Sequence, residues 1–133
     1  MRGKQGGTCS IHEAITLSRA LLALVIALAV TLCAAFLGVT KALGAHPFWA
    51  TDIALIGSPL GLVAAILFAR LPRFPVLVGF IILTAVSYAV AHYGKTAFAA
   101  SFAEDELAGR FWFFGWIATT AAFTASIATL LRR

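Results

Sequence analysis

The chain is 133 residues long, 62% apolar and 11% charged, with a formal net charge of +5. Soluble domains carry about 25% charged and about 45–50% apolar residues, and a domain this short leaves much of its apolar surface in contact with water, so an ordinary soluble globular domain is excluded. The basic residues stand singly or in pairs at the ends of apolar runs and form no stripe. That excludes a nucleic-acid surface and reads as topology signals and contacts to anionic lipid heads.

Residues 1–15 are polar, and Ser10-x-x-Glu13 has the form of a capping box leading a short turn or helix into the membrane. The first apolar run covers residues 20–38. At 1.5 Å per residue it reaches about 28 Å, close to the thickness of a bilayer's hydrocarbon core. The run is longer than a signal-peptide core and its flanks make a poor cleavage site, so it reads as an uncleaved helix. Cys33 lies inside it and reads as a small buried hydrophobe. Cys9, in the polar arm, lacks a supporting acylation motif, and the two cysteines form neither a metal spacing nor a disulfide framework.

After a loop holding Lys41, His46 and Pro47, a second span covers 51–69, with Thr51 or Asp52 as its N-cap. Pro72 and Pro75 stop this helix and start the third span, 76–92. Between 94 and 110, Phe98, Phe102 and the acidic run Glu104-Asp105-Glu106 suggest a short amphipathic helix on the membrane surface. The fourth span covers 111–131 and is followed by Arg132-Arg133. The expected architecture is an all-α membrane protein: one integral membrane domain, residues 1–133, with four transmembrane helices in a compact bundle.

With the N-terminus inside, Arg2, Lys4, Arg19, Arg70, Arg73, Arg132 and Arg133 face the cytoplasm, and only Lys41, Lys95 and Arg110 lie outside with four of the five acids. Seven positive charges against three favour both termini on the cytoplasmic side of an inner membrane. Trp49 and the cluster Phe111 to Phe114 with Trp116 then fall at the outer boundary, as an aromatic belt.

Small residues mark where membrane helices pack. The first span carries Ala20, Ala23, Ala27, Thr31, Ala34 and Gly38. The fourth carries Gly115, Thr119, Ala122, Ser126 and Thr129 in the four-three alternation of a left-handed bundle. In the second, Gly57, Gly61, Ala65 and Ala69 recur every four residues, with Pro59 as a candidate kink. The bland reading of these stripes is internal packing of the monomer. The sharper one makes the second-span stripe a docking face for a partner or a second copy.

On the third span Thr84, Ser87, Tyr88, Ala91 and His92 share a face in its outer half. At that depth Asp52, His92 and Arg110 form a candidate polar cluster, to be weighed against a capping Asp, an interfacial His and a topological Arg. No Asp, Glu or Lys lies mid-span, there is no nucleophile with its base, and no phosphate loop. His12 and His46 lie in polar segments, leaving His92 without a second axial ligand for haem.

No enzyme activity, cofactor or metal is therefore expected. The partners expected are the lipid bilayer and another membrane protein or further copies of this chain. The leading reading is a non-enzymatic accessory subunit of a membrane complex, or an inhibitor of another membrane protein. A minimal oligomeric transporter or channel is the alternative, and a holin-type membrane-lesion protein the third.

Overall fold

A computed structural model describes the backbone of residues 6–132 and the side chains of residues 10–132. Arg2, Lys4, Arg133 and the side chain of Cys9 lie outside the described residues. The described chain is helical throughout, in the order α1 (Gly6–Phe36), α2 (Val39–Ala42), α3 (Asp52–Leu67), α4 (Arg73–Ala100) and α5 (Glu106–Leu131). Three helices, α1, α4 and α5, are long and apolar enough to cross a membrane, and α3 is a shorter apolar helix of 16 residues. At 1.5 Å per residue α4 is about 42 Å long and α3 about 24 Å, against a hydrocarbon core of about 30 Å.

The helix α5 is the hub. It packs against α1, α3 and α4; α1 also touches α3, whereas α1 and α4 have no close backbone approach. Glycines set these contacts. A Cβ on Gly57 of α3 would fall on Thr120 Oγ1 and lie 2.7 Å from the Ile117 carbonyl, and one on Gly61 would strike the Ala121 carbonyl. On the other side, a Cβ on Gly115 would lie 2.8–2.9 Å from Ala91 of α4. The pairs 57/120 and 61/121 advance together, so α3 runs parallel to α5; the pairs 91/115 and 94/112 advance oppositely, so α4 runs antiparallel to it.

Hydroxyls join the same helices. Thr120 donates to the Ile53 carbonyl at 2.9 Å, and Thr31 and Thr124 share a hydrogen bond of 2.8 Å. Each hydroxyl has one proton, so one of that pair donates across the interface while the other bonds back to its own helix, to Ala27 or Thr120. No buried side-chain polar atom among the described residues lacks a partner.

Several expectations are corrected. The helix α1 begins at Gly6, so Ser10 lies within it and does not cap it. The surface helix expected between the third and fourth spans is absent: residues 94–100 continue α4, 106–110 open α5, and only Ser101 to Asp105 connect them. That connection is short because Phe102 and Ala103 both take left-handed backbone, and Asp105 caps α5 by accepting from the Ala108 N–H at 3.0 Å. Cys33 is exposed, because Thr31 and Ala35 occupy the packed face of α1 and a residue two steps from either points away. Trp116 is 3% exposed and sits inside the bundle instead of in a boundary belt. Pro59 lies on the exposed side of α3, which stays helical across it.

Candidate functional site

The residues expected as an outer polar cluster, Asp52, His92 and Arg110, lie on three different helices. Asp52 is the exposed first residue of α3, and its neighbour Thr51 holds the N-cap position without a side-chain hydrogen bond. His92 follows buried Ala91, so the 100° step per residue turns it off the α5-facing side; its ring stacks on Tyr88 with centroids 6.4 Å apart. Arg110 lies two residues beyond buried Ala108, points outward and approaches Glu106 at 3.8 Å across one turn. No hydrogen bond or ion pair among the described residues links the three. In the second-span stripe, Gly57, Gly61 and Ala65 are buried inside the chain, the glycines against α5, while Ala69 is exposed beyond the helix end.

Because α1 and α4 do not meet, a groove of about 730 Å³ opens between them with α5 as its floor. Small-molecule sites occupy about 300–1,000 Å³. One wall is Thr31 and Ala34 of α1; the other runs along α4 from Leu77 through Thr84 to Tyr88; Trp116, Phe123 and Leu130 lie along the floor. The polar residues here turn their hydroxyls into backbone. Thr84 donates to Phe80, Thr119 to Gly115 and Ser126 to Ala122, at 2.7–2.8 Å. What the groove presents is therefore apolar.

At one end the groove is bridged by α2. Gly38, at φ +85°, ends α1 and lets α2 turn across the bundle. Tyr88 Oη donates to the Leu43 carbonyl at 3.1 Å, and Thr40 Oγ1 to the Ala50 carbonyl at 2.8 Å. Beyond this roof, His46 packs against Phe48, Trp49 and Trp112 with ring centroids 5.3–5.9 Å apart, and Trp112 Nε1 donates to the Gly44 carbonyl at 3.0 Å. The loop after α2 is thereby tied to the start of α5.

The opposite end is basic. Arg73, at the start of α4, donates to the Leu130 carbonyl near the end of α5. Arg132 donates to the Phe68 and Leu71 carbonyls at 3.4 and 3.1 Å, clasping the end of α3. Both guanidiniums sit where helix carbonyls are left over and the helix dipole is negative. The groove and these clasps escaped the sequence reading, since they depend on which helices fail to touch. The one trace of this in the sequence is that α5 is the least apolar of the three long helices; the structure shows it to be much the most buried.

The class defined by this architecture is a helical protein whose three long apolar helices point to a membrane. No protein-family model matches the chain, and no curated protein and no solved structure matches it either.

Proposed function

We propose that this is a non-enzymatic protein of an inner membrane, crossing it four times with both termini cytoplasmic, that acts as an accessory subunit or inhibitor of another membrane protein. The observation that carries the reading is the first part of α1. Every residue from Ser10 to Leu22 is exposed, and the first buried one among the described side chains of the helix is Ala23. Those 13 residues extend about 20 Å with no partner helix in the described chain. Ile11, Ala14, Ile15 and Leu22 share one side of this arm, and His12, Thr16 and Arg19 share another. A two-sided helix without a neighbour suits a contact with a second protein.

The orientation rests on the count of basic residues in the sequence: Arg2, Lys4, Arg19, Arg70, Arg73, Arg132 and Arg133 on one side against Lys41, Lys95 and Arg110 on the other. The buried polar residues among the described ones are all Ser or Thr, and none of their fully buried polar atoms lacks a partner, which supports a packing role for the bundle.

The test is mild extraction from native cells with a C-terminal tag, beside the double variant Ile11→Gln/Ile15→Gln. A partner in fixed stoichiometry that the variant loses, with its thermal midpoint unchanged, is the expected result. Recovery of an unaccompanied monomer removes the subunit reading. Recovery of a dimer or larger assembly of this chain alone puts the oligomeric transporter in its place.

A further inference from the structure

The α1/α4 groove has an occupant that its dimensions and charge identify. We propose that it binds one anionic phospholipid, with an acyl chain along the groove and the head-group phosphate on Arg73. This inference rests on the membrane location alone and not on the accessory role.

The groove is the right length. Along α4 it runs from Leu77 to Tyr88, eleven residues or about 17 Å of helix, close to half of a hydrocarbon core of about 30 Å. At its far end α2 crosses it: Val39, Thr40 and Leu43 join the lining, and Tyr88 is hydrogen-bonded to the Leu43 carbonyl where the tail of a lipid from the basic-end leaflet would reach. The surface in between suits a hydrocarbon chain, because the lining hydroxyls are spent on backbone carbonyls.

Its open end carries the charge. Arg73 lies one helical turn before Leu77, and its guanidinium reaches the carbonyl of Leu130, so it stands at the mouth between two lining residues. One of its N–H groups serves that carbonyl, and the guanidinium has five to give. No carboxylate among the described residues lies within ion-pair distance of it, and four of the acids are at the far end of the bundle. Basic pockets between membrane helices are where anionic head groups settle, and the planar fork of Arg matches a phosphate.

The full chain, stripped of lipid in detergent, is titrated with phosphatidylglycerol and separately with phosphatidylcholine, and bound lipid is counted by native mass spectrometry. The wild type is expected to retain one phosphatidylglycerol and to prefer it about fivefold, the worth of one well-placed surface cation. Arg73→Gln should lower that preference to near unity. Because Arg73 also caps α5, a second variant is needed: Ala85→Trp fills the groove from an exposed wall position and should remove the bound lipid while leaving the helix content unchanged. Equal retention of both lipids by the wild type overturns the proposal, as does lipid binding that survives Ala85→Trp. Efficient crosslinking of Ala85→Cys to another polypeptide in native membranes also overturns it, since a protein helix would then occupy the groove.

Discussion

Phe102 and Ala103 hold φ values of 55° and 67°, a conformation in which a side chain costs roughly 1–2 kcal/mol. Two such residues in succession allow α4 to reverse into α5 within five residues, with Ser101 and Asp105 closing the turn through the Asp105 N–H and the Ser101 hydroxyl at 3.0 Å. Ala103→Gly is expected to raise the thermal midpoint in detergent. The gain should be about 1 kcal/mol, the relieved strain less the freedom glycine adds to the unfolded chain. This connection was hard to read from the sequence because neither residue is Gly or Asn, the usual markers of left-handed backbone. The acidic run with flanking phenylalanines imitated a surface helix when it was in fact the end of one long helix and the cap of the next. That no hydrogen bond or ion pair joins Asp52, His92 and Arg110 was beyond the sequence for a simpler reason: depth along a helix was legible, but azimuth was not. A 100° step separates His92 from Ala91, and only the buried neighbour tells which way the ring points.

Among the elements, the small-residue stripes were the most legible feature, since close approach of two backbones requires them whatever the partner. Ala23, Ala27 and Thr31 of α1, Gly57, Gly61 and Ala65 of α3, and Gly115 and Thr119 of α5 are all buried. The sequence could not reveal that one helix, α5, takes contacts from three neighbours, because a stripe specifies a contact and not its recipient. Gly57→Ala tests the tightest contact directly. The new methyl would land on the hydroxyl that bonds Ile53, so both the packing and that hydrogen bond suffer. The expected loss is about 1–3 kcal/mol, the usual cost of overpacking. It would be read as a lower denaturation midpoint, and Gly79→Ala, which meets open space within α4, serves as the control expected to raise stability by about 0.5–1 kcal/mol, the helix preference of Ala over Gly.

At the scale of the whole molecule, the bundle is held at its two ends by different chemistry. Stacked rings fasten the end near α2, where Trp49, Trp112 and Phe113 pack edge to face with centroids 5.3 Å apart. Arginines clasp the other end, each anchored on carbonyls of a neighbouring helix or turn. Arg132→Ala should therefore loosen the end of α3 selectively. The expected cost is about 1 kcal/mol, with faster hydrogen exchange confined to residues around Phe68 and Leu71; uniform loosening of all the helices would contradict the clasp. The central position of α5 also bears on biogenesis. Of the five described helices it comes last in the chain, and α4 makes its close backbone contacts with α5 alone. Until α5 arrives, α4 lacks the helix its backbone packs against, and the glycine faces that α3 and α4 present to α5 are open to whatever lies in the surrounding bilayer. The interfaces of α3 and α4 are thus completed only when α5 enters, and any factor that escorts those two helices has its window before then.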